Sequence, residues 1–199
     1  MIAAGLLFLA LSVSAAPGAD EHLLAGATAF RDGRFDAALV EFRVAERLGS
    51  PDGRVYAGAA YVKLGRAEEA IEAFASSSPG EDDLLDWYRA LACYDARLYV
   101  CAHRVLAGLG RAGPKAAAEA GKLRAEIARV LASEPTAAAI DWYLARCEAR
   151  RSEGRAALAE AYCREAADLG ERRPDRHGVA RANAELVRLQ PAGSRGRAR

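Results

Sequence analysis

The stretch AGATAFRDGRFDAALVEF, residues 25–42, returns 32 residues later as AGAAYVKLGRAEEAIEAF, residues 57–74. A weaker third copy, RALACYDARLYVCAHRVL, occupies residues 89–106 at the same spacing. The copies share a small residue near the start, an alanine in the second half and a large apolar residue at the end. In order, these are Gly26, Gly58 and Ala90, then Ala38, Ala70 and Ala102, then Phe42, Phe74 and Leu106. A period of this length is typical of repeat proteins.

The shared residues indicate that each copy is a pair of crossing helices. Two helices approach closely only where small side chains face each other, and the large residue four positions later fills the widening gap. Gly33 and Gly65 lie between the two helices, where a left-handed residue often ends the first one. A hairpin of this kind cannot bury its apolar face alone, so consecutive hairpins are expected to stack.

This pattern resembles the tetratricopeptide repeat (TPR) family, whose unit of about 34 residues is slightly longer. The resemblance covers residues 20–109 as three units, although Arg97 stands where the third turn glycine is expected. A fourth unit at residues 136–170 aligns through Gly154. The resemblance implies an all-α fold, a right-handed α-solenoid of TPR-like helical hairpins.

The remaining segments of the chain are assigned from helix start and stop signals. Pro114 and Pro135 bracket a separate helix at residues 114–132, between the third and fourth units. Residues 175–189 carry a last amphipathic pattern, which predicts a capping helix that shields the final apolar face. Residues 190–199 are expected to form a disordered basic tail.

The resemblance also implies a function, because first helices of successive TPR units line a groove that holds a partner's peptide or helix. The groove positions carried over to this chain are Leu23, Phe30, Arg31, Val55, Val62, Lys63, Trp87, Leu91, Tyr94 and Asp95. Leu144 and Arg151 continue the set if the fourth unit stacks in line. Leu23 and Ala27 occupy positions that hold polar residues in carboxylate-clamping relatives, which disfavours that class of partner. Alternatively, several of these residues pack against a neighbouring unit, or the 114–132 helix fills the groove.

The first residues have the composition of a secretory signal. Residues 2–16 contain no charge and end in small residues, which predicts a signal peptide at residues 1–16, cleaved near Ala15 or Ala16. No basic residue precedes the apolar run, so an uncleaved anchor or a buried helix remains an alternative. Cleavage would place the protein in the periplasm or outside the cell, with no stable membrane anchor.

Four cysteines can pair in an oxidising compartment, in three possible ways. Residues equidistant from a hairpin turn face each other, which favours Cys147 with Cys163 and Cys93 with Cys101. The alternative is four buried free thiols, which behave as small apolar residues. No close cysteine pair has the spacing of a metal site, and none is predicted.

Charge and motifs point away from catalysis. The net charge is +1, and although residues 171–199 are basic they lack aromatic residues for stacking bases, so no nucleic acid partner is expected. Residues 108–113 match G-x-G-x-x-G, but this motif binds phosphate only after a strand. His103 has no recognisable nucleophile or acid partner. We therefore expect neither an enzyme nor a cofactor.

Together these features predict an exported scaffold or adaptor of the cell envelope that binds a protein partner. The alternative function is a structural subunit whose repeats mediate self-association or the assembly of a larger envelope complex. A regulatory domain of an enzyme system is a third possibility. The sequence does not identify the partner or the oligomeric state.

Overall fold

The computed structural model describes residues 18–80, 82–109, 114–133, 135–172 and 176–189. These residues form ten helices, which pack mostly against their neighbours in sequence, as in a repeat-like helical array. They are α1 (Ala19–Arg31), α2 (Phe35–Arg47), α3 (Pro51–Lys63), α4 (Ala67–Phe74), α5 (Asp83–Asp95), α6 (Tyr99–Gly108), α7 (Pro114–Ala132), α8 (Ala137–Ser152), α9 (Ala156–Arg172) and α10 (Arg176–Leu189). The proposed leader at residues 1–16 and tail at residues 190–199 lie outside the described residues. Within them, no helix has the length and apolarity needed to cross a membrane.

The same backbone turn closes four helical hairpins. Gly33, Gly65 and Gly154 have φ angles of 77°, 71° and 77°, in the left-handed region that glycine adopts without strain. Arg97 takes the equivalent place in the third hairpin with a φ of 64°. The hydroxyl of Tyr143 donates to the carbonyl oxygen of Arg97 at 2.6 Å, so α8 holds this turn in its unfavourable conformation.

The close crossing expected at the repeat glycines is present, and the group in contact is an aromatic ring. A Cβ atom at Gly26 would lie 2.6 Å from the ring of Phe42, and one at Gly58 would lie 2.8 Å from the ring of Phe74. Both distances are shorter than any real Cβ contact, so no larger residue fits without a shift. The alanines one turn earlier, Ala38 and Ala70, are also fully buried.

The first three hairpins, α1–α2, α3–α4 and α5–α6, follow one another along the array, and α7 packs on α6. Ile127 and Leu131 of α7 join the main hydrophobic core. The Arg124 guanidinium donates to the carbonyl oxygen of Leu106 at 2.6 Å, which ties α7 to the end of α6. The range of α7 is the one for which the sequence predicts a separate helix.

The fourth hairpin does not continue the array in line. α9 packs against α4 and α6, the second helices of the second and third hairpins. Leu144, an in-line groove position, is therefore buried, and Arg151 forms an ion pair with Glu185 of α10. α10 then covers α9 and α8, with Val179 against Gly170. Val187 of α10 is exposed, whereas Val179, Leu186 and Leu189 are partly buried.

Both disulfides have the connectivity that the hairpin spacing predicts. Cys93 of α5 bonds Cys101 of α6, with their Cα atoms 5.9 Å apart. Cys147 of α8 bonds Cys163 of α9, with a Cα separation of 5.3 Å. Each bond joins the two helices of one hairpin, in the two hairpins that lack the glycine–phenylalanine contact.

Candidate functional site

An apolar pocket lies between α1, α3 and α5, the first helices of the first three hairpins. Its volume is about 230 Å³. The lining side chains come mainly from these three helices: Ala27, Phe30, Arg31, Tyr56, Ala59, Leu84, Leu85 and Tyr88. Phe42 of α2 contributes to the floor, and Asp82 lies at the rim. We call this site the apolar pocket.

Aromatic contacts hold the walls of the apolar pocket. The rings of Phe30 and Tyr88 meet edge to face with centroids 5.7 Å apart, which connects α1 directly to α5. The ring centroids of Phe35 and Phe30 are 5.3 Å apart, and those of Tyr56 and Phe42 are 5.6 Å apart. The two edge-to-face contacts of Phe30 are of the kind that ring pairs prefer, so they stabilise the walls of the pocket.

Two cations stand beside the apolar pocket. Arg31 lines it, and the Lys63 ammonium lies 5.6 Å from the ring centroid of Tyr88. Neither cation has an ion-pair partner among the residues that the structure describes. At the other end, the Asp82 carboxylate accepts hydrogen bonds from the N–H groups of Leu84 and Leu85 and so caps α5. Arg31 and Lys63 are therefore available to a partner, whereas the Asp82 carboxylate already accepts two hydrogen bonds from α5.

The groove positions carried over from the TPR pattern separate into three groups. Phe30 and Arg31 line the apolar pocket, and Lys63 lies beside it. Val55 is buried in the core, and four others are partly buried against core residues: Leu23, Val62, Trp87 and Leu91. Tyr94 and Asp95 lie elsewhere: the Tyr94 hydroxyl donates to Glu126 of α7 at 2.5 Å, and Asp95 lines a different cavity. The bond to Glu126, with burial and nearby acids, raises the pKa of Tyr94 to about 12.

Ala27 was recognised as a groove position, but the sequence reasoning missed other residues of the site, namely Tyr56, Ala59, Leu84, Leu85 and Tyr88. Leu84 at the rim is 62% exposed, and Leu24, one turn before Ala27 on α1, is 71% exposed. Leu84 in the first turn of α5 and Leu24 on α1 are large apolar residues. Exposed apolar residues that cluster often mark an interaction site, so this pair would have been a usable signal for the pocket. No described residue of α7 lines the apolar pocket, so this helix does not fill it.

A charged cluster joins the fourth hairpin to the second. The Glu68 carboxylate accepts hydrogen bonds from Arg150 at 2.9 Å, Arg155 at 3.1 Å and the Tyr162 hydroxyl at 2.9 Å. Arg155 also makes a two-bond contact with the carboxylate of Glu72, at 3.0 and 2.9 Å. Hydrogen bonds to Glu72, together with the charge of Glu68, raise the pKa of Arg155 above its ordinary value. We call this group the Glu68 cluster.

A buried carboxylate joins the fourth hairpin to the third. Glu165 of α9 is 1% exposed, and its carboxylate accepts hydrogen bonds from the N–H groups of Val100 at 2.7 Å and Cys101 at 3.0 Å. Both N–H groups lie in the first turn of α6, where backbone N–H groups have no acceptor within the helix. α6 has no side-chain cap of its own, so Glu165 supplies the acceptor. Burial raises the pKa of Glu165 to about 7, although the two N–H groups act in the opposite direction.

The candidate residues for catalysis, metal binding or phosphate binding do not form a common site in the described part of the chain. His103 is exposed on α6, and all four cysteines are in disulfides. The described residues contain no group of three or more His, Cys, Asp or Glu that could hold a metal ion. The glycine motif at residues 108–113 follows a helix, and its last four residues lie outside the described part. Comparison with protein-family models gives no match, and comparison with curated proteins gives none either.

Proposed function

We propose that this chain is an exported, TPR-like adaptor that binds a helix or peptide of a partner protein at the apolar pocket. In this proposal α1–α6 form a short right-handed solenoid, and α1, α3 and α5 line its binding side. The observation that carries the proposal is the apolar pocket between these three helices, with two cations beside it that have no ion-pair partner among the described residues.

The size of the pocket favours a side chain of a larger partner over a complete small molecule. Small-molecule pockets usually measure about 300–1,000 Å³, whereas the apolar pocket has about 230 Å³. One large apolar side chain of a helix or peptide could enter it, with Leu24 and Leu84 contacting the residues on either side. Buried apolar anchors of this kind contribute most of the binding energy in many interfaces.

The proposed location agrees with the cysteines. Two disulfides and no free cysteine are expected of a chain that folds in an oxidising compartment, since cytosolic thiols are kept reduced. The uncharged apolar run at residues 2–16 supports the same location.

Site-specific crosslinking in cells that export the protein tests the proposal. A photoreactive residue at Tyr56, which lines the pocket at the surface, should trap a protein that one at the exposed Glu148 of α8 does not. The trapped protein is then purified and titrated against two variants. Ala27→Trp fills the pocket, whereas the matched control Ala25→Trp adds the same side chain to an exposed position of α1 outside it.

We expect Ala27→Trp to weaken binding about tenfold or more, because the anchor side chain loses its site. Ala25→Trp should bind like the wild type, and both variants should keep the circular dichroism spectrum of the wild type. Equal crosslinking at both positions, or equal affinity of both variants, would contradict binding at the pocket.

A second function, self-association as a structural subunit, is favoured by a different surface. Val40 of α2 and Leu48, which follows its last residue, are 60% and 53% exposed and lie about two turns apart. Light scattering during size-exclusion chromatography distinguishes the two functions. A dimer that Val40→Asp converts to a monomer would favour the structural subunit, and a monomeric wild type would favour the adaptor.

A further inference from the structure

The fold-back of the fourth hairpin creates a second cavity, which the repeat pattern does not contain. Its lining comes from the turn of the second hairpin and the first turn of α4, the turn of the third hairpin, and α8 and α9. We call it the turn cavity. Its volume of about 550 Å³ lies within the usual range for small-molecule sites. Six of its eleven lining residues are charged, three of each sign, whereas the apolar pocket has only one cation and one anion in its lining.

Some of these charges already have partners within the chain. Glu68 accepts bonds of 2.9 to 3.1 Å from Arg150, Arg155 and Tyr162. Arg66 and Glu69 form an ion pair at 2.9 Å. These groups form the charged walls of the turn cavity, and they leave little capacity for a ligand.

Arg146 is a cation that keeps donors for a ligand. Its guanidinium lies 4.6 Å from the ring centroid of Trp142 and 5.9 Å from that of Tyr162, so aromatic rings hold its orientation. Its contact with Glu68 is 3.5 Å long, and that carboxylate is already bound by three shorter bonds. A guanidinium held in this way can bind a carboxylate through two parallel hydrogen bonds.

Asp95 and Arg97, two residues apart on the turn of the third hairpin, supply one charge of each sign. Neither side chain has a hydrogen bond or an ion pair within the described part of the chain. The backbone between them is fixed, because the Tyr143 hydroxyl holds the carbonyl of Arg97. Burial raises the pKa of the Asp95 carboxyl above its ordinary value. An ammonium group beside Asp95 would favour its ionised form.

We infer that the turn cavity binds a small α-amino acid, with the ligand carboxylate on Arg146 and Arg97 and its ammonium on Asp95. A purely anionic ligand would meet the carboxylates of Asp95 and Glu69, and a purely cationic ligand would meet the two arginines. A zwitterion satisfies both signs. Arg97 and Arg146, whose only ion pair within the described residues is the long contact with Glu68, offer two cations against the one carboxylate of Asp95, so an acidic amino acid such as L-glutamate fits the charge best. The inference is independent of the proposed function.

Isothermal titration of the full chain with L-glutamate tests the inference. Glutarate, which has both carboxylates and no ammonium, serves as the ligand control. Arg146→Gln and Asp95→Asn remove one contact each, and Arg129→Gln on the exposed face of α7 is the matched control. Each cavity variant should bind about tenfold or more weakly, because it loses a hydrogen bond between charged groups.

The expected result is saturable binding of L-glutamate, weaker binding of glutarate, and a loss of affinity in both cavity variants but not in Arg129→Gln. Asp95 lies outside the Glu68 cluster, so Asp95→Asn tests the site even if Arg146→Gln disturbs the fold. Absence of saturable heat would overturn the inference. Glutarate affinity equal to that of L-glutamate, or wild-type affinity in both cavity variants, would also overturn it.

Discussion

Replacing the buried Glu165 by glutamine should change how the stability of the protein depends on pH. The carboxyl group has an ordinary pKa of 4.5, and burial raises it to about 7 in the folded chain. Between these values the folded state binds more protons than the unfolded state. The free energy of unfolding therefore falls as the pH rises from 4.5 to 7, and the penalty is complete above the folded pKa.

The size of the effect follows from the shift. Each pKa unit corresponds to about 1.4 kcal/mol, so a shift of about 2.5 units costs about 3 kcal/mol when the carboxyl group is fully ionised. About 2 to 3 kcal/mol of this change falls between pH 5 and pH 8. Asp168 and Arg104, the other charged groups that act on Glu165, remain in the Glu165→Gln variant.

Urea unfolding followed by circular dichroism at pH 5 and at pH 8 measures the effect. The wild type should lose about 2 to 3 kcal/mol more than Glu165→Gln over this range, since the amide cannot ionise. Glu148→Gln, an exposed substitution on α8, controls for the loss of one carboxylate and should follow the wild type. If the difference between wild type and Glu165→Gln stays constant from pH 5 to pH 8, the reasoning is wrong.

Three further perturbations test the packing of the hairpins. Gly58→Ala should destabilise the chain by about 1–3 kcal/mol because its Cβ would meet Phe74, whereas the helical control Gly121→Ala, with open space around it, should be neutral or stabilising in thermal melts. Arg97→Gly should stabilise the chain by about 1 kcal/mol in urea unfolding, since glycine adopts the positive φ without strain; a loss of stability would contradict this. Glu68→Gln should cost about 1–3 kcal/mol and speed proteolysis between α7 and α8, and an unchanged cleavage rate would contradict the role of the Glu68 cluster.

The features that the sequence predicted well depend on contacts within one hairpin. Gly58 and Phe74 belong to the same unit, and the equivalent pair, Gly26 and Phe42, lies 32 residues earlier. The disulfide partners also lie within one hairpin, so their distances from the turn were enough to pair them. The alignment placed Arg97 at a turn-glycine position, but the sequence did not predict that arginine would adopt the positive φ found there.

The groove was predicted less well because its positions were carried over from a longer repeat. Val55 was placed on the groove, but it is buried in the core of this array. Asp95, at the end of α5, faces the turn cavity and lies apart from the apolar pocket. Helix periodicity identifies an apolar face, but it does not separate residues that contact the next helix from residues that remain open.

The fold-back of the fourth hairpin had no signal in the sequence, and this follows from the residues that carry it. Glu68 and Glu72 are spaced as on any solvated helix face, and their arginine partners lie about 80 residues away on α8 and in the turn before α9. Glu165 is a charge at a buried position, which sequence reasoning assigns to the surface. α9 packs on α4 and α6, so the fourth hairpin covers part of the face formed by the second helices of the earlier hairpins. The apolar pocket of the first helices and the turn cavity are therefore the concave surfaces at which ligands should be sought first.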